Sequence, residues 1–218
     1  LAYLRGAYGL SPRPAMEMLT RYLYLLLIPP SFQFPDFPLP PVTHTLRPVF
    51  PLGSALADAL PAWFSSMPDQ PTVYVSMGTV FNRAPEVFQI VLDGLKDEAL
   101  NLVLTVGRNR DPAQFGPMPE NVHIEQFIPQ AALIPHCDLV ITHGGINTVM
   151  GALQEGLPVL TVPLSAHQLE NTLRCRQLGV GIDLRPPWWQ AMEEAGAEGR
   201  AITALSQART NVAATGLT

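Results

Sequence analysis

The stretch that decides the fold runs from Asp138 to Gln154: Asp138-Leu139-Val140-Ile141-Thr142-His143-Gly144-Gly145-Ile146-Asn147-Thr148-Val149-Met150-Gly151-Ala152-Leu153-Gln154. Its opening residues, Asp138–Thr142, form a short β-branched apolar run and predict a buried strand. Two glycines then break the pattern. Beyond them Ile146, Val149, Met150 and Leu153 fall at i, i+3, i+4 and i+7, a stripe that predicts a helix over Ile146–Gln154 packed on a sheet. A strand, a tight glycine turn and an amphipathic helix are the repeating unit of an α/β domain.

The same grammar extends in both directions. Strands are predicted at Thr72–Met77, Leu102–Val106, Val122–Gln126, Pro158–Val162 and Val180–Leu184, each bounded by Gly, Pro, Asn or Asp. Helices are predicted at Pro85–Lys96, with Pro85 suited to the first helical position, and at Gln130–Ile134 and His167–Leu178. Strands this apolar, alternating with helices, imply a Rossmann-like, doubly wound parallel sheet covered on both faces, spanning residues 72–184. Such sheets bind ligands at the carboxyl ends of their strands. The search for chemistry therefore narrows to the loops after Met77, Val106, Gln126, Thr142 and Val162.

The flanks read differently. A short helix is expected near Pro14–Arg21 and a strand at Leu23–Ile28, the latter with no evident sheet to join nearby. Proline recurs from Pro29 to Pro51, and it fixes φ and removes a ladder donor, so extended irregular chain is expected there. Residues 1–50 thus read as the remnant of a preceding domain, in a chain that starts at Leu1 as an excised piece would, and residues 51–71 as a linker. Beyond Leu184, Pro186-Pro187-Trp188-Trp189 interrupts the alternation. Residues 185–218 read as an atypical tail, with Gln190–Arg209 a helix of poor stripe.

Composition narrows the function. Of 218 residues 47% are apolar and 14% charged, which fits a packed core rather than disorder. A net charge of −5, without a basic cluster, favours neither nucleic acid nor an anionic membrane as partner. The most apolar run, Tyr22–Ile28, is far short of the ~20 residues a membrane span requires. Cys137 and Cys175 have neither metal spacing nor a disulfide framework, and read as small buried apolar residues of a reduced, cytoplasmic protein.

Four loops carry polar groups to one predicted sheet edge. In the glycine loop, Gly144 and Gly145 permit close backbone approach, and Asn147 and Thr148 open a helix whose N-terminus favours an anion. His143 adds a donor. The combination asks for a phosphate or pyrophosphate, although a plain turn with Asn147 or Thr148 capping the helix would use the same residues. The loop lacks the P-loop lysine and the GxGxxG spacing. Ser76-Met77-Gly78-Thr79 offers hydroxyls and amides after the first strand. Phe127-Ile128-Pro129-Gln130 offers an aromatic face for a nucleobase, or a core Phe beside a helix-opening proline. Pro163 to Asn171 opens the helix after the fifth strand, where Gln168 and Asn171 taken singly suit a cap or a solvated face.

Taken together, the runs VYVSMGTVF, NLVLTVGR, PENVHIEQFIPQAALIPHCDLVITHGGINTVMGALQEGLPVLTVPLSAHQLEN and LGVGI resemble family 1 glycosyltransferases of the GT-B fold, in particular their bacterial natural-product branch. The resemblance covers about residues 72–184 and implies the C-terminal, nucleotide-sugar-binding domain. It implies Phe127, Ile128, Gln130 and Gly107 at the nucleoside. Ser76, Gly78, Thr79, His143, Gly145, Asn147 and Thr148 would lie at the pyrophosphate, and Ile146, His167 and Gln168 at the sugar. No metal or other cofactor is implied. The donor is a substrate, and a small acceptor such as a flavonoid or macrolide is the second partner.

Two departures bear on the donor. Where many family members have a Glu gripping both ribose hydroxyls, this chain has Gly151. Where Asp-Gln or Glu-Gln meets the sugar, it has His167-Gln168. Both favour a dTDP-deoxysugar such as dTDP-rhamnose over UDP-glucose. The family's general base, a His early in the first domain, has no counterpart here, and His44 reads as a surface residue. The chain alone is therefore expected to bind nucleotide without transferring sugar. A donor-binding subunit of a two-chain enzyme, or a non-catalytic nucleotide-sugar-binding protein or epimerase on the same fold, remain alternatives.

Overall fold

In a computed structural model the chain divides into two compact units, Leu1–Val49 and Phe50–Thr218. The structure describes residues 2–11, 20–46, 60–78, 85–164 and 166–184. The expected helices at Pro14–Arg21 and Gln190–Arg209 lie largely or wholly outside these residues.

The first unit corrects the reading of residues 1–50 in two places. Ala2–Ala7 is a short helix, α1, which the sequence analysis passed over. The strand expected at Leu23–Ile28 forms over Tyr24–Leu26 (β1) and does have a partner. It pairs in parallel with β2, Thr43–Thr45, which lies inside the proline-studded segment. The prolines stop on either side of these three residues, so the ladder keeps its donors. His44 is exposed on β2.

The second unit holds a six-stranded, all-parallel sheet: β3 Thr72–Ser76, β4 Asn101–Thr105, β5 Val122–Glu125, β6 Leu139–Thr142, β7 Val159–Thr161 and β8 Gly181–Asp183. All six predicted strands form, each trimmed at one or both ends. The helices are α2 Pro85–Leu95, α3 Gln130–Leu133 with a 3-10 turn at Ile134–His136, α4 Ile146–Gln154 and α5 Ala166–Gln177. The strand order is β5-β4-β3-β6-β7-β8. The chain winds outward from β3 in one direction, then returns to build β6, β7 and β8 on the other side. The winding direction therefore reverses between β3 and β6, which is where doubly wound sheets open a ligand crevice.

Both faces of the sheet are covered. On one face Val73, Val75, Met77, Leu102, Leu104 and Val106 pack with Phe88 and Leu92 of α2. The strand residues between them, Tyr74 and Val103, are buried on the opposite face. Val149, Met150 and Leu153 of the α4 stripe are buried as the periodicity requires, whereas Ile146 is only partly covered. The edge strand β5 is not left bare. Trp63, from a 3-10 turn at Ala62–Ser66, stacks on His123 with ring centroids 3.8 Å apart and its indole N–H donates to Glu125 at 2.8 Å. The segment read as linker thus fastens onto the sheet edge. Burial depresses the His123 imidazole pKa, against a smaller opposing pull from Glu125.

Cys137 and Cys175 are free and buried, as read from the sequence. Desolvation pushes both thiols up to about 12.

Candidate functional site

The register of β3 against β6 places Ser76 beside Thr142, so the loops that follow them emerge together at the reversal point. Between them lies a cleft of about 410 Å³. Ser76, Gly78, His143, Gly145, Asn147 and Thr148, expected at a pyrophosphate, all line it, as do Gly107, Phe127, Ile128 and Gln130, expected at a nucleoside. Of the residues expected at a sugar, Ile146 and Gln168 line it as well. Thr79 lies outside the described residues, and so does the side chain of His167, whose backbone belongs to the first turn of α5. Three lining residues were missed: Tyr74, Thr105 and Gln126. Each looks like an ordinary strand or strand-end residue until neighbouring strands are in place.

Glycine geometry shapes the cleft around His143. Gly78 has φ +89 and Gly144 φ +86, values that L side chains rarely adopt. A Cβ on Gly78 would meet the His143 ring at 3.0 Å, and one on Gly145 would come within 2.7 Å of its Nε2. The imidazole is therefore held in a slot formed by two missing side chains. The Thr142 hydroxyl lies 3.4 Å from its Nδ1.

Gly145 is the N-cap of α4, and no side chain caps that helix. The alternative in which Asn147 or Thr148 serves as the cap is thereby set aside. The first intrahelical donor is Val149, bonding the Gly145 carbonyl at 3.1 Å. The amides of Ile146, Asn147 and Thr148 precede it, so the helix geometry gives them no intrahelical acceptor, and they carry the positive end of the dipole.

Thr148 is engaged differently from its neighbours. Its hydroxyl donates to the Gln130 carboxamide oxygen at 3.2 Å, and Gln130 Nε2 donates to the Tyr74 hydroxyl at 3.2 Å. Tyr74 in turn shares a 2.8 Å hydrogen bond with Thr105. This chain ties the start of α3 to the start of α4 across the cleft floor. Thr148 can thus offer an anion its backbone N–H while its hydroxyl proton is committed elsewhere. Burial raises the Tyr74 pKa above its usual value despite the hydrogen bonds that oppose the rise, so the phenol is a neutral partner.

Just past β5, Phe127 is 47% exposed at the cleft. The Arg108 guanidinium stands over its ring, 5.0 Å from the centroid. Ile128 is buried and lines the cleft. Gln168 is 3% exposed, and its Oε1 accepts from the Leu164 amide at 2.7 Å, bracing the loop after β7.

Gly151 borders a small recess next to the cleft, sharing Gln130 and Asn147 with it and extending to Gln154 and Glu155. A Cβ at Gly151 would make ordinary contact with Ile134 Cδ1 at 3.4 Å. A larger side chain therefore has room there. Among the described residues no cluster of three or more His, Cys, Asp or Glu side chains is disposed to hold a metal ion, and no helix is long and apolar enough to cross a membrane.

Residues 89–213 match the family described as "Erythromycin biosynthesis protein CIII-like, C-terminal domain". The chain belongs to this EryCIII-like family. It is 30% identical to demethyllactenocin mycarosyltransferase of Streptomyces fradiae, over 82% of this chain and 38% of that protein. It is 35% identical to 4'-demethylrebeccamycin synthase of Lentzea aerocolonigenes, over 77% of this chain and 39% of that one. Among solved structures, spinosyn rhamnosyltransferase SpnG superimposes with a TM-score of 0.77 at 25% identity, covering 99% of this chain and 56% of that one. The EryCIII-like chain is thus the C-terminal domain type of a GT-B glycosyltransferase, and spans roughly two fifths to just over half the length of these relatives.

Proposed function

We propose that the second unit is the donor-binding domain of an inverting glycosyltransferase. The observation that carries this reading is the cleft at the β3/β6 reversal, where an uncapped helix N-terminus and the slotted His143 imidazole face the same space. A diphosphate ester at that corner accepts hydrogen bonds from the amides of Gly145, Ile146 and Asn147 and from His143. Phe127 stacks under the base and the Ile128 backbone meets its edge. Ile146 and Gln168 face the sugar, with His167 the neighbouring position in the sequence.

In the proposed reaction an acceptor hydroxyl of a small natural product attacks the anomeric carbon, and the nucleoside diphosphate departs with inversion. The charge that grows on the leaving phosphate is stabilised by the α4 dipole, the amides and His143, all fixed before the reaction starts. These groups supply the positive potential a divalent cation otherwise provides, so the proposal includes no metal. The base that deprotonates the acceptor belongs to the other domain of the enzyme, and the chain on its own binds nucleotide without turnover.

The favoured donor is a dTDP-deoxysugar, with dTDP-rhamnose ahead of UDP-glucose. Gly151 brings no carboxylate of its own to the recess beside the cleft, where Glu155 is the acidic residue on the lining, and the absence of a ribose-pairing carboxylate at position 151 matters less for a 2′-deoxynucleotide. The named relatives support the natural-product setting. A mycarosyltransferase and a rhamnosyltransferase are each named for a deoxysugar. Side-by-side titration of the chain with dTDP and UDP, with and without EDTA, tests the reading. It predicts tighter dTDP binding that is indifferent to EDTA, and clearly tighter UDP would overturn the donor assignment.

A further inference from the structure

Asn171 lies on the second turn of α5, and its Nδ2 donates to the carbonyl of Gly144 at 2.9 Å across 27 residues of sequence. The sequence suggested a cap or a solvated side chain there, and it is neither. Gly144 is buried, sits at φ +86, and is pressed against the same helix. A Cβ at Gly144 would come 2.9 Å from Thr172 Oγ1 and 3.0 Å from the Gln168 carbonyl. Thr172 Oγ1 is itself buried without a hydrogen-bond partner, so it does nothing to hold the loop. Asn171 does hold it, through the Gly144 carbonyl.

A trans peptide is planar, with its C=O and the following N–H pointing in opposite directions, and no described peptide here is cis. Holding the Gly144 carbonyl on Asn171 therefore fixes the Gly145 N–H in the opposite direction, in a residue that lines the cleft. We infer that Asn171 is a positioning residue, whose amide holds the Gly144–Gly145 peptide so that the Gly145 N–H faces the donor diphosphate. Left free, this glycine peptide can rotate and present its carbonyl oxygen instead, replacing a donor by a repelling acceptor at the phosphate corner. The hydrogen bond also links α5, which carries the proposed sugar contacts, to the phosphate loop. The inference rests on the diphosphate site proposed above.

The test is calorimetric titration of the full chain with thymidine diphosphate and with thymidine, the ratio of the two affinities reporting the phosphate corner alone. Asn171→Ala removes the donor. Asn171→Asp keeps its shape but presents an acceptor to a carbonyl. Both variants are expected to lose roughly tenfold or more of diphosphate affinity, the size of one hydrogen bond to a charged group, while thymidine binding stays within about twofold. Wild-type affinity ratios in both variants would overturn the inference. So would equal loss of both ligands, which is what a purely structural role gives. If the wild-type chain gains nothing from the diphosphate over thymidine, it is the site itself that fails.

Discussion

The imidazole of His143 occupies space that a side chain on Gly145 would claim: a Cβ there would come within 2.7 Å of Nε2. The glycine loop is thus matched to the histidine as well as to an incoming ligand. Replacing Gly145 with Ala is expected to swing the ring out of its slot. The amide corner would narrow, and nucleoside diphosphate affinity would fall about tenfold or more, roughly 1.4 kcal/mol. Gly145 sits at φ −62, which alanine adopts readily, so unfolding temperature should change little. Calorimetry and a thermal melt on the same sample check both halves.

Gly151 should control the choice of nucleotide. The recess it borders is open and the nearest atom to a Cβ is a methyl at ordinary contact distance, so Gly151→Glu adds a second carboxylate to the one Glu155 already brings, without steric crowding. Paired ribose hydroxyls become available only with a ribonucleotide. The expected result is a gain in UDP affinity relative to dTDP of about tenfold, in line with a charge-assisted hydrogen bond of ~1.5–3 kcal/mol partly offset by ordering the side chain. Parallel titrations of wild type and variant measure it, and an unchanged ratio would separate the recess from the ribose.

Tyr74 should matter to stability and to the floor of the cleft together. Removing its hydroxyl by Tyr74→Phe leaves Gln130 Nε2 without its acceptor and Thr105 without its 2.8 Å partner. A loss of about 1–2 kcal/mol in urea denaturation is expected. Because Gln130 also orients Thr148, diphosphate affinity should drop as well.

Alkaline pH should weaken the fold. Cys137 and Cys175 have folded-state pKa values raised from 9.0 to about 12 by burial, and that of Tyr74 is raised above 10.0. Below about pH 9 all three are neutral whether the chain is folded or unfolded, and their contribution is complete. As pH rises from 9 toward 12 the unfolded chain ionises first, so unfolding becomes progressively easier. Urea midpoints between pH 8 and 10.5 should fall monotonically. At pH 8 native thiols should resist a thiol reagent that labels both in denaturant.

Much of this arrangement was legible in the sequence, and the reasons are local. The six strands of the sheet announce themselves because the central ones are buried on both faces and all are short runs with apolar and β-branched residues between Gly, Pro, Asn and Asp. α4 is recovered residue for residue because its stripe and its glycine stop leave no freedom in phase. β2 was missed because three residues, Thr43-His44-Thr45, carry no periodicity and sit among prolines. α1 was missed because Ala2–Ala7 has neither cap nor stripe. In the cleft, most residues placed by loops were found, since glycines and polar groups at strand ends stand out. Tyr74, Thr105 and Gln126 were not, because a strand or strand-end residue becomes part of a site only when another element, distant in sequence, completes its surroundings. Thr148 was found for a hydroxyl that the structure shows committed to Gln130.

The central claim is that a nucleoside diphosphate docks where β6 gives way to α4. A crystal of the chain soaked with thymidine diphosphate tests it most directly. The account predicts phosphate oxygens within hydrogen-bond distance of the amides of Gly145, Ile146 and Asn147 and of His143, with thymine lying on Phe127. Density for the nucleotide elsewhere, or a saturated soak that leaves this corner to solvent, would contradict it.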